Sequence, residues 1–196
     1  MTIRIGNTKG SILINTKEYI ITSHGQSAWI EILSNLHDSD TKVLESEIIT
    51  TEWYPAPVLN RLLNTYDILH GKGDFLSVIP IAEYIANKDL GPMLESLVNL
   101  KKPPIILKSA PSLWNRYFDS GLMELELLDA EKKFSRLYLD EIADENRASG
   151  IAVCNFAVPE WFKTGLTMSG AKSAEIIHTE CRYKNPKPCR FEVRWE

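Results

Sequence analysis

Cys181 and Cys189 bracket a turn near the C-terminus, His178 stands just ahead of the first, and Cys154 lies upstream. These are all 3 cysteines of the chain and one of its 4 histidines. Thiolate sulfur and imidazole nitrogen are the donors that structural zinc prefers, so this stretch has the makings of one metal site. The run from Ala174 to Trp195 reads as two strands joined at Asn185-Pro186. In a flat strand, residues three apart point to opposite faces, so His178 and Cys181 converge only if the strand bends or bulges between them. Glu180 is a second candidate for a ligand. Reduced cysteine is also among the most buried residue types, which leaves a metal-free core as the alternative and a Cys181–Cys189 disulfide open on oxidation.

Other reactive residues carry less. His24 and His37 fall near predicted helix ends, where termination explains them. The run His70, Gly71, Lys72, Gly73, Asp74 is glycine-rich but lacks P-loop spacing and the following Ser/Thr, so it reads as a turn. Asp140, Glu141, Asp144 and Glu145 form an acidic run that reads as a solvated segment. No Gly-x-Ser-x-Gly elbow is present, and no nucleophile, base and orienting group line up, so the expectation is a protein that is not an enzyme. The aromatic residues Trp114, Tyr117, Phe118, Phe156, Trp161 and Phe162 cluster in the second half. They are either core or the wall of a pocket for a small apolar ligand.

The elements that must position these residues follow from periodicity. Apolar residues from Ile12 to Ile21 stop at His24-Gly25, and Ala28, Trp29, Ile32, Leu33 and Leu36 follow at helical spacing. Pro55 and Pro57 open a segment in which Val58, Leu62, Leu63, Tyr66 and Leu69 share a face. Phe75–Asn87 and Gly91–Leu100 read as two more helices. Pro103-Pro104 then marks a boundary, because paired prolines favour extended backbone ahead of them. Ile105–Leu107 reads as a short extended run, and Ser112–Phe118 as a helical turn. Leu122–Leu128 alternates at period two like a half-buried strand, with Phe134–Leu139 as its partner or a short helix. Phe156–Met168 is helical, and the two final strands close the chain. The fold class is α+β: a helical N-terminal half, then an antiparallel β-sheet with packed helices.

Composition narrows the partners. The chain has 196 residues, 44% hydrophobic content and a formal net charge of −4, enough to fill a core and without an electrostatic footprint for nucleic acid. Arg182, Lys184, Lys187, Arg190 and Arg194 lie on a strand pair that also carries Glu192, which reads as a solvated sheet face. No run suits a signal peptide or a membrane span. An odd cysteine number argues against a disulfide framework, so the expected compartment is the cytoplasm.

Taken in order, Lys9-Gly10 with its apolar helix, His24-Gly25, Trp29 and the Pro103-Pro104 boundary resemble the haem-NO/oxygen-binding domain family. The C-terminal segment resembles the related 4-vinyl-reductase-type sensory domain, found in aromatic-sensing bacterial regulators. Relatives of that fold build eukaryotic transport-particle (TRAPP) subunits. The resemblance implies a group of bacterial paralogues that join both signatures. It also implies where haem would bind: a proximal histidine near Gly91 and a Tyr-x-Ser-x-Arg clamp at Leu127, Asp129 and Glu131. Neither is present in this chain, so haem is not expected. His70 is left as the one histidine outside the family position for such a role. From the zinc-binding relatives, the resemblance places ligands at Cys154, His178, Cys181 and Cys189. With four protein ligands, a bound zinc is structural and leaves no open position.

These readings give one two-lobed domain over residues 1–196, with a mostly helical lobe at 1–102 and an α+β sensory lobe at 103–196. The first functional expectation is a non-enzymatic sensory or signalling module for a small apolar ligand or a partner protein, its lobes moving about Pro103-Pro104. An assembly or scaffold protein acting through a homodimer is the alternative, and a haem gas sensor the third reading. An interior cavity of several hundred Å³ separates the sensor from a filled scaffold core.

Overall fold

The computed structural model describes residues 5–96, 102–140, 150–184 and 188–196. A short strand β1 (Asn7–Lys9) leads into α1 (Gly10–His24), α2 (Gln26–Ser34) and α3 (Asp38–Glu45). Strand β2 (Trp53–Pro55), α4 (Ala56–His70) and α5 (Val78–Ser96) complete the helical half. Then come α6 (Pro103–Lys108), α7 (Ala110–Tyr117), β3 (Leu122–Asp129) and β4 (Phe134–Asp140). A π-helical turn (Val153–Ala157) runs directly into α8 (Val158–Met168), and β5 (Ala174–Glu180) and β6 (Cys189–Trp195) end the chain. The α+β expectation holds. Among the described residues, no helix is long and apolar enough to cross a membrane.

Strands β3 to β6 form one antiparallel sheet in the order β3-β4-β6-β5. Period-two alternation does the sorting. Leu137, Leu139, Phe191 and Val193 turn inward and are fully buried. Arg136, Arg190 and Arg194 turn outward and pair with Glu126, Glu175, Glu180 and Glu192. Arg190 and Arg194 of the predicted basic cluster are therefore charge-paired on the sheet face, whereas Arg182 and Lys184 lie in the turn after β5. Lys187, the Asn185-Pro186 turn and the acidic run beyond Asp140 lie outside the described residues.

Several boundaries differ from the sequence reading, each for a local reason. Pro103 and Pro104 start helix α6 instead of an extended run. Proline suits a first helical turn, where its missing N–H has no intrahelical partner to lose. Helix α5 is continuous to Ser96 through Gly91 and Pro92, where a break was expected. The Asp38–Glu45 helix has only two buried residues, Asp40 and Leu44. Its anchor is polar: Asp40 takes a two-pronged hydrogen bond from Arg61, at 2.5 and 2.8 Å. The β1–β2 ribbon was unforeseen, since three-residue strands show no period. Asn7 ties it to the end of α7, its backbone N–H and side-chain amide donating to Asp119 at 2.6 and 2.7 Å.

Buried side chains gather into two cores. One lies among α1, α2, α4 and α5, around Leu13, Ile20, Ile32 and Leu62. The other lies between the sheet and α5, α6, α7 and α8, around Leu107, Leu137, Leu166 and Phe191. Phe118, Val153 and Trp161 pack against both. The junction of the cores is thus built from α7, α8 and the π-helical turn.

Candidate functional site

The four predicted metal ligands come together around the π-helical turn. Cys154 Sγ lies 2.9 Å from Cys189 Sγ and 4.0 Å from His178 Nε2. The ligand atoms of Cys154, His178 and Cys189 all fall within 4.8 Å of one another. Cys189 is fully buried on central strand β6, and Cys154 nearly so. Cys181 is buried, but it falls outside that group of three.

A β-bulge makes this convergence possible. Strand β5 slips register between His178 and Glu180, so His178 opposes Phe191 and Glu180 opposes Arg190. The extra residue, Thr179, lets His178 and Cys181 both face the core. Glu180 is turned to the outer face, where it pairs with Arg190, and this removes it as a ligand candidate. His178 is held on two sides. Its ring stacks on Phe191 at 4.3 Å between centroids. Its Nδ1 sits 2.9 Å from Asn155 Oδ1. The amide oxygen can only accept, so Nδ1 carries the proton and Nε2 presents a lone pair to the cysteines.

The electrostatics divide the thiols. Contact with Cys181 and Cys189, together with burial, pushes the Cys154 thiol well up. Cys189 is held down chiefly by its contact with the Cys154 thiol. Cys181 falls to about 6, chiefly through its own contact with Cys154. Depressed thiols favour thiolate, the form that binds metal. The donor set fits zinc. A tetrahedral Zn²⁺ with Zn–S near 2.3 Å sets its sulfurs about 3.8 Å apart. The Cys154–Cys189 contact of 2.9 Å must therefore open to admit the ion.

A second feature lies at the junction of the cores: an apolar cavity of about 80 Å³. Five of the six predicted pocket aromatics line it, namely Trp114, Tyr117, Phe118, Trp161 and Phe162. They brace one another, with Trp114 stacked on Phe118 at 4.4 Å and Trp161 edge-on to Phe162 at 5.3 Å. Phe156 is the exception. It turns away and packs on Phe75, 5.8 Å between centroids. The opposite wall comes from α1, α4 and α5, including Ile12, Leu63, Ile81 and Ile85. The wall's hydroxyls are those of Thr16, which donates to Ile12 O at 2.8 Å, and Tyr117, beside Asp89, and the Trp114 indole N–H donates to Ser120 O at 2.9 Å. Periodicity could not identify these helical-lobe residues as lining, because core and cavity wall share one apolar pattern.

Haem does not fit. The position for a proximal histidine is Gly91, and the nearest atom a Cβ there would meet is the end of Met168, 3.8 Å away. Leu127 faces solvent and Asp129 pairs with Lys132 at the hairpin end, so neither of these clamp positions offers a cation to a propionate. Enclosing even a drug-sized ligand takes roughly 300 Å³ or more. His70 is no substitute, since its ring lies beside His24 and Tyr66 at the ends of α1 and α4.

No protein-family model and no curated protein sequence matches the chain. Solved structures do. An H-NOX protein from Shewanella oneidensis in the Fe(II)NO ligation state is 12% identical, with 96% of this chain and 99% of that chain covered and a TM-score of 0.71. The Fe(II) unliganded H-NOX protein from K. algicida is 14% identical, covering 96% of both chains at a TM-score of 0.70. The chain therefore has the H-NOX fold, the architecture that its sequence resembles.

Proposed function

We propose that this chain is a non-enzymatic sensory domain that takes an uncharged apolar molecule of a few heavy atoms. The observation that carries this reading is the aromatic-walled cavity where the two cores meet. Its wall is apolar, and its two hydroxyls are already engaged. A charged ligand would lose hydration there without a partner. At about 80 Å³ the cavity falls short of the several hundred that would separate a sensor from a filled scaffold core, so a scaffold acting through a homodimer stays the second reading, and a ligand is confined to the scale of those held by small apolar protein cavities.

The same reading gives the protein a structural zinc on Cys154, His178 and Cys189, with Cys181 closing the set. When bound, the ion would pin the β5–β6 hairpin to the π-helical turn. The free cysteines suit a reducing, cytoplasmic compartment. Output would pass to a partner protein or a second copy of the chain.

Xenon under pressure, followed by NMR, tests the cavity. Saturable shifts confined to the methyls of Ile81, Ile85 and Leu113 are expected. Their absence ends the sensor reading. Haem added to the purified protein should leave no Soret band after gel filtration, and a retained band would restore the gas-sensor alternative.

A further inference from the structure

The π-helical turn faces both features at once. Val153 and Ala157 line the cavity. Cys154 and Asn155, between them in sequence, face the thiols and His178. Phe156 reaches the helical half at Phe75, a non-glycine residue with φ of 63°. Asp67 holds that left-handed backbone by accepting the Phe75 N–H at 2.9 Å. Just upstream, a Cβ on Gly150 would overlap the Tyr183 hydroxyl, so the base of the turn is seated on the cysteine hairpin. π-Helical turns cost regular hydrogen bonding and recur at functional positions.

We infer that this turn makes metal binding and cavity occupancy antagonistic. The inference rests on the reading given under Proposed function. Metal entry must widen the Cys154–Cys189 contact from 2.9 Å to about 3.8 Å. Cys189 cannot give way easily. It is fully buried at the start of central strand β6 and paired with Leu139 of β4. The displacement therefore falls on Cys154 and its turn. The empty space beside the turn is the cavity lined by Val153 and Ala157. A filled cavity blocks that retreat, and a retreated turn shrinks the cavity. By linkage, each ligand weakens the other by the same factor.

The test uses the full chain with two probes, Co²⁺ and xenon. Thiolate-to-cobalt charge-transfer absorption reports the cysteine site, and the Ile81 and Ile85 methyl shifts report the cavity. Saturating xenon should weaken Co²⁺ binding about five-fold or more, and Co²⁺ should weaken xenon binding equally. Ala82→Val narrows the cavity from α5 without touching the cysteines, and it should weaken Co²⁺ binding in the same direction while the melting curve shows it folded. If both probes bind and neither changes the other's affinity, or if xenon tightens cobalt, the antagonism is wrong while the sensor reading stands. If xenon leaves the methyl resonances unchanged, the reading and the antagonism fall together.

Discussion

Cys154 and Cys189, 35 residues apart in the chain, hold their sulfurs 2.9 Å apart in the second core. Cys154 keeps its proton and Cys189 is driven toward thiolate. Treating the metal-free protein with diamide should join these two, and peptide mapping by mass spectrometry should recover the 154–189 linkage. The Cys181–Cys189 pair, the one adjacent in sequence, should be minor. Prior loading with zinc should protect both thiols. A dominant 181–189 product would show that the cluster is arranged differently.

The ligand roles are unequal. Cys189→Ser removes a central donor and should abolish retained zinc in native mass spectrometry. Cys181→Ser, outside the tight group, should weaken retention without ending it. Asn155 meets His178 at its far nitrogen, Nδ1, away from the cysteines. Asn155→Ala should lower zinc affinity about 10- to 100-fold, and Asn155→Asp, which can still accept from Nδ1, should restore it. ¹⁵N shifts of the His178 ring in the metal-free protein report the tautomer directly, and an unchanged tautomer in Asn155→Ala would refute the positioning role.

Phe162 is buried on α8 and forms part of the cavity wall. Phe162→Ala should destabilise the fold by about 3–5 kcal/mol in urea titration. It should also enlarge the cavity and strengthen xenon binding. A loss of stability with no gain in xenon affinity would mean that the core collapses into the space.

Asp89 supplies a pH dependence. Its Oδ2 is buried with no hydrogen-bond partner among the described residues, and burial raises its carboxyl above the ordinary 3.8. The folded state thus holds this proton more tightly than the unfolded chain does. The group's contribution to stability is greatest below the ordinary value and is lost as pH rises through the elevated folded value. Asp89→Asn mimics the neutral form. Its stability relative to wild type should grow as pH is raised from the acid side toward neutrality, and a flat difference would contradict the assignment.

Much of this was legible in the sequence, and the limits have physical causes. The half-helical, half-sheet order followed from the change of apolar period after Pro104, and the alternation of Leu122–Leu128 marked a half-buried strand. The cysteine hairpin stood out because donor types and spacing are local facts. The bulge could be stated only as a condition, since a residue such as Thr179 looks ordinary in a strand. The π-helical turn was illegible: one extra residue per turn leaves an apolar pattern indistinguishable from the start of an α-helix. Its misreading as plain helix sent Phe156 into the predicted pocket and hid Asn155.

Thr179 itself is exposed and bonds only weakly, its hydroxyl donating to Arg190 O at 3.3 Å. It offers no donor to a metal and no wall to the cavity. Yet if residue 179 took a regular place in the ladder instead of bulging, strict alternation along β5 would turn Glu180 inward and carry Cys181 out to the arginine side. The chemistry of this hairpin is written as a frame, and one chemically silent residue keeps the frame.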